Sequence, residues 1–125
     1  MGQPIRYFID SNYNNYYDYT INGFNIYNEE YQVNGNYVIE EGAEVIMRTR
    51  FHITGDLIIN GTLDISDFGI ITVDGNIILN TNGKLIITGA MYCKLEFIEN
   101  GVLYISENGF LEKNVIEYIL ELEEI

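Results

Sequence analysis

One histidine, one cysteine and nineteen carboxylates supply the means for acid–base, nucleophilic or metal chemistry in this 125-residue chain. Their spacing decides what each can do. His52 lies between Arg50 and Thr54 in a stretch of alternating apolar and polar residues, on the polar, outward set, and is read as a surface histidine rather than an acid or base. Cys93 falls on the apolar set in step with Ile53 and Val73, which makes it a buried small hydrophobe rather than a nucleophile. Asp56, Asp64 and Asp74 are candidate carboxylate ligands, but nothing resembles the Gly-Gly-x-Gly-x-Asp calcium repeat, and no metal is expected. Glu99, Glu107 and Lys113 occupy inward positions, where buried carboxylates would be poised for proton transfer. Glu99 and Glu107 each adjoin an Asn-Gly turn, however, and a bulge there swings a side chain into water. Arg50, His52, Asp74, Lys94 and Glu112 point outward on one side, spread without a cluster. No catalytic, cofactor or metal residue is assigned, and the chain is expected not to be an enzyme.

What positions these residues is a 20-residue repeat. Cut at Asn15, the chain falls into blocks 15–34, 35–54, 55–74, 75–94 and 95–114, each divisible into segments of 6, 8 and 6 residues. From residue 35 most segments open with Gly. Self-similarity at a fixed period marks a solenoid, in which each repeat buries its apolar face only against its neighbours.

From Tyr31 to Leu111 the odd-numbered positions are almost all apolar or Gly and most even ones polar, the period of β-strands. This parity runs through the Asn-Gly pairs at 60–61, 82–83, 100–101 and 108–109. A two-residue hairpin loop would shift it, so these pairs read as bends of one coil. Three-residue hairpin loops would preserve it, which leaves an antiparallel meander as the other topology. The expected fold is all-β: a three-sided parallel β-solenoid forming a single domain over residues 1–125. Its inner columns read Tyr17, Tyr37, Leu57, Ile77, Phe97; Tyr19, Ile39, Ile59, Leu79; Tyr31, Phe51, Ile71, Met91, Leu111; and Val33, Ile53, Val73, Cys93. Glycines at 35, 55, 61, 69, 75, 89, 101 and 109 mark corners, with Glu41, Thr49 and Thr81 at others.

The ends differ from the middle. Residues 1–34 are Tyr- and Asn-rich and read as an N-terminal cap or an irregular first coil. A continued coil would turn Glu117, Glu121 and Glu123 inward, so residues 115–125 are expected to close the top as a C-terminal cap. Asn114 and Glu117 have capping-box spacing, which favours a short helix over a flipped strand. The N-terminus lacks the basic and apolar regions of a secretory signal, and no apolar run reaches the length of a membrane span. A cytoplasmic or virion setting is expected. The formal charge of −13 argues against nucleic acid and anionic membrane as partners, since both are polyanions.

On its Gly-opened segments, such as GDLIIN, GIITVD and GNIILN, the chain resembles the right-handed parallel β-helix proteins. Among the short cofactor-free ones it is most similar to the bactofilin core, over about residues 15–114. Bactofilins polymerise end to end into filaments, so the resemblance implies assembly; viral fibre and spike proteins use β-helices of the same look. The eight-residue side and the closing C-terminal segment depart from the bactofilin pattern. The eight-residue side also breaks the strict hexads of the left-handed hexapeptide acyltransferases.

One outward feature stands above background. Val38, Ile58, Ile78 and Ile98 are even-numbered, yet they stack as an aliphatic ladder. Asn36, Asp56, Asn76 and Glu96 flank it on one side and Glu40, Asn60, Asn80 and Asn100 on the other. A flat apolar stripe with a polar rim has the look of a protein interface. Threonine is missing from the ladder, which argues against an ice-binding face. The expected function is therefore a structural or assembly protein that self-associates through these four residues as a homo-oligomer or polymer. The alternative is an acidic inhibitor occupying a basic groove of a protein partner.

Overall fold

The computed structural model describes residues 3–9 and 15–113, and within them every regular element is a strand. Strand β1 (Gln3–Ile9) precedes five coils of three strands each. The first coil holds β2 (Asn15–Ile21), β3 (Phe24–Tyr27) and β4 (Tyr31–Val33); the second holds β5 (Asn36–Ile39), β6 (Glu44–Met47) and β7 (Arg50–Ile53). The third holds β8 (Leu57–Ile59), β9 (Thr62–Ile65) and β10 (Ile70–Val73), and the fourth β11 (Ile77–Leu79), β12 (Lys84–Ile87) and β13 (Ala90–Cys93). The fifth is β14 (Phe97–Glu99), β15 (Val102–Ile105) and β16 (Phe110–Lys113). Like strands of successive coils pair in parallel and build three sheets, ordered β1-β2-β5-β8-β11-β14, β3-β6-β9-β12-β15 and β4-β7-β10-β13-β16. The chain is a parallel β-solenoid, not a meander. Among the described strands only β1 runs antiparallel, against β2 at the edge of the first sheet.

The core is the column set that parity implies. Ile39, Ile59, Leu79, Ile53, Val73 and Cys93 are fully shielded, as are Leu57, Ile77, Ile71 and Met91. Toward the first coil the filling changes from aliphatic to aromatic: Phe51 packs edge-on against Tyr27 and Tyr37 at ring separations of 4.8 and 5.2 Å. The buried Tyr37 hydroxyl donates to the Tyr27 hydroxyl at 2.9 Å, which satisfies a polar tip that the apolar interior would otherwise strand.

Two features depart from a uniform repeat. In the first coil Tyr19, not Tyr17, pairs with Tyr37, and Ile21, not Tyr19, pairs with Ile39. The columns expected there are displaced by two residues because that coil is 18 residues long, Tyr19 to Tyr37. The second departure lies in the middle segment, where pairing runs at 20 residues (Phe24 to Glu44), then 18 (Glu44 to Thr62), 22 (Thr62 to Lys84) and 18 (Lys84 to Val102). Sheets one and three keep a spacing of 20 from the second coil onward.

The alternation has a packing cause. From the second coil on, the corner after side one is alternately long (Glu40–Ala43, Asn80–Gly83) and short (Asn60–Gly61, Asn100–Gly101). The next corner alternates in the opposite phase, short at Arg48–Thr49 and Thr88–Gly89, long at Ser66–Gly69 and Ser106–Gly109. After side one, each short corner nests into the long corner of the coil before it. The Thr62 amide donates to the Ala43 carbonyl and the Val102 amide to the Gly83 carbonyl. At the next corner the Ala90 amide donates likewise to the Gly69 carbonyl. Total coil length is conserved while the strand slides within its eight-residue segment. The expected C-terminal cap, residues 115–125, lies outside the described residues.

Candidate functional site

The ladder on side one is in strict register: Val38 pairs with Ile58, Ile58 with Ile78 and Ile78 with Ile98. Pairing of β2 with β5 adds Thr20 to its end, where β1 lies alongside and Thr20 is only 8 % exposed. The strip therefore begins at a covered threonine and runs out to Ile98, which is 40 % exposed. Its three inner members are half-buried, as residues of an open sheet face with neighbours on both sides must be.

Hydrogen bonds fasten the rim of this strip. The amide of Asp56 donates to Asn36 Oδ1 at 2.8 Å, that of Asn76 to Asp56 Oδ1 at 2.8 Å, and that of Glu96 to Asn76 Oδ1 at 3.1 Å. Asn36 Nδ2 donates in turn to Asp18 Oδ1 at 3.0 Å. On the opposite rim Asn80 Nδ2 donates to Asn60 Oδ1 at 2.6 Å. These short side chains therefore hold successive coils in register, and the aliphatic residues between them stand as a flat row.

Side two carries a second outward column that a constant 20-residue spacing hides. The sliding register stacks Ile26, Ile46, Asp64, Ile86 and Tyr104, so one carboxylate interrupts an otherwise apolar row. A uniform repeat would align Ile46 and Ile86 with Ser66 instead. The signal that reveals the column is the position of Gly61 and Gly83, which tells the short corner from the long one.

Side three brings together residues that parity alone leaves scattered. His52 Nε2 lies 2.9 Å from Asp74 Oδ2, and Lys94 Nζ lies 2.9 Å from Asp74 Oδ1. Asp74 Oδ1 is shut off from solvent, and the Lys94 ammonium is its ion partner without the angle of a good hydrogen bond. Arg50 sits nearby, 3.8 Å from Glu30. His52, Lys94, Arg50 and Thr72 line an open groove of about 590 Å³. This corrects the expectation of a spread set: His52, Asp74 and Lys94 form a cluster, while Glu112 is placed in the fifth coil opposite Tyr92. Partial burial by itself pushes the Asp74 carboxyl up, but its close contacts with Lys94 and His52 outweigh it and hold the group below its ordinary value of 3.8.

A test follows from that sign. Folding lowers the Asp74 pKa, so its contribution is complete above the ordinary value and disappears as pH falls through the folded one. Asp74→Asn is expected to cost about 1 kcal/mol at neutral pH, a modest figure because His52 and Lys94 are both partly exposed to water. Melting curves of variant and parent should converge as pH falls below the ordinary value of 3.8 and through the lowered folded one. A gap that persists unchanged in acid would show that Asp74 acts by shape rather than charge.

The remaining candidates take structural places. Cys93 is buried, with its sulfur 3.3 Å from the Glu96 carbonyl, and burial pushes its thiol above the ordinary value, away from nucleophilic reactivity. Glu99 and Glu107 are exposed, and the Lys113 ammonium lies 5.7 Å from the Phe97 ring centroid. Among the described residues no group of three or more His, Cys, Asp or Glu is arranged to hold a metal ion, and no helix is long and apolar enough to cross a membrane. Compared with family models, curated proteins and solved structures, the chain matches none of them.

Proposed function

We propose that this chain is a non-enzymatic structural protein that associates with copies of itself, side by side, through the Val38–Ile58–Ile78–Ile98 strip. The observation that carries the reading is the register: four aliphatic side chains aligned on an outward sheet face between rims tied by hydrogen bonds. Such a face is already ordered before a partner arrives, so little side-chain entropy is lost on contact. The parallel β-solenoid fold is compatible with an assembling role of filament, fibre or spike type. A second reading, an acidic decoy for a basic groove, draws on the charge of −13 and on Glu40 and Glu41 at one corner beside Asn60 and Asn82.

Replacing both Ile58 and Ile78 by Lys puts two charges at the centre of the strip, where interface residues contribute most. The double variant is expected to keep its β-sheet circular dichroism and to run as a monomer in light scattering, while the parent runs as an oligomer. Thr72→Lys with Tyr92→Lys on side three should leave the parent's size unchanged. A parent that stays monomeric at high concentration sinks self-association. A salt-sensitive complex with a basic protein would then favour the decoy.

A further inference from the structure

The outward face of side two repeats its character in reverse about its middle strand. Beside the column Ile26, Ile46, Asp64, Ile86, Tyr104 runs a second one, Phe24, Glu44, Thr62, Lys84, Val102. Counted outward from β9, Glu44 with Ile46 on one rung answers Lys84 with Ile86 on the other. One rung further, Phe24 with Ile26 answers Val102 with Tyr104. These last four are among the nine large hydrophobic residues exposed among the described residues, so both ends of the face offer apolar surface. Glu44 and Lys84 are exposed as well, and neither has an ion partner among the described residues.

We propose that side two binds a second copy of this chain, face to face and inverted, about a two-fold axis that lies between the two sheets and runs along β9. Such an axis reverses the order of the rungs and keeps the direction of the strands. It sets Glu44 against the partner's Lys84 and Lys84 against the partner's Glu44, so one self-complementary contact forms two opposite-charge pairs. Ile46 meets the partner's Ile86, while Phe24 and Ile26 meet the partner's Val102 and Tyr104. Facing sheets stand about 10 Å apart, a gap that an opposed glutamate and lysine can span. The other in-plane axis, along the stack, would set Glu44 against the partner's Ile46 and leave both charges unpaired. Charge complementarity therefore selects the inverted arrangement. At its centre Asp64 faces its own copy, the like-charge contact that keeps this association weak. The contact does not rest on the side-one strip, which lies on another side of the coil.

Charge reversal tests the pairing in the Ile58→Lys, Ile78→Lys background, where the strip is disabled and the chain is a monomer when dilute. Where that background fails to fold, Ile58→Thr with Ile78→Thr takes its place. Sedimentation near millimolar protein should reveal a weak dimer, tightened about fivefold by Asp64→Asn. Glu44→Lys and Lys84→Glu should each weaken the Asp64→Asn dimer by about tenfold or more, because each turns two attractive pairs into two repulsive ones. Mixed in equal amounts, these two variants should associate again, since every contact between positions 44 and 84 of the two chains is then of opposite charge. An Asp64→Asn chain that stays monomeric overturns the proposal, and so does a mixture that associates no more tightly than its components. Failure of the side-one strip alone would leave all of these results unchanged.

Discussion

Ile77→Asp is expected to unfold the protein, whereas Ile78→Asp, one residue along, should leave it folded. Ile77 is fully shielded, stacked between Leu57 and Phe97 on the inner face of β11. An aspartate there has no cation and no hydrogen-bond donor in an aliphatic column, and it also removes the dispersion contacts of a close-packed side chain. The cost is on the order of 5 kcal/mol, comparable with the whole stability of a domain this size. In a solenoid the damage does not stay local, since each coil depends on the ones beside it. Ile78 points the other way, into the outward strip, and its replacement costs about 1 kcal/mol of strand preference and partial burial. Thermal melts of the two variants should therefore differ by tens of degrees, the second close to the parent. Equal damage from both would contradict the assignment of inner and outer faces.

The second large effect concerns the nested corners. A Cβ added at Gly61 would press into the carbonyl oxygens of both Glu40 and Ala43, and one at Gly89 into those of Gly69 and Ser66. These are backbone atoms of the preceding coil, held by their own pairing, and they cannot step aside as the end of a flexible side chain can. Gly61→Ala and Gly89→Ala are expected to cost about 3 kcal/mol each, at the upper end of overpacking penalties, because relief requires separating two coils. Gly42 is the control. It has φ +86° with nothing within 4 Å of an added Cβ, so Gly42→Ala should cost only the left-handed backbone penalty of about 1 kcal/mol. Denaturant titration of the three variants measures the ranking. Gly42→Ala proving the worst would mean that backbone conformation, rather than nesting, limits these corners.

Alternating parity and the 20-residue period favoured the solenoid over a meander and determined, from the second coil onward, the inner faces of sides one and three and the alignment of Val38, Ile58, Ile78 and Ile98. They sufficed because the corner joining side three to side one has the same length in every coil from the second onward. A constant corner lets a local pattern be extended by simple addition. The middle segment is different. Both of its ends contain turn-forming residues, so the strand at Glu44–Met47 and the strand at Thr62–Ile65 can each satisfy the same eight-residue frame. Which one forms is decided by the corner of the neighbouring coil, as when Gly61 seats itself against Glu40 and Ala43. That contact joins residues about 20 apart, and only the folded stack supplies it. The same limit hid the cluster on side three: Asp74 and Lys94 occupy corners, where parity no longer says which way a side chain points. The contacts of Asp74 with His52 and Lys94 run between coils, and the tertiary structure alone brought them to 2.9 Å.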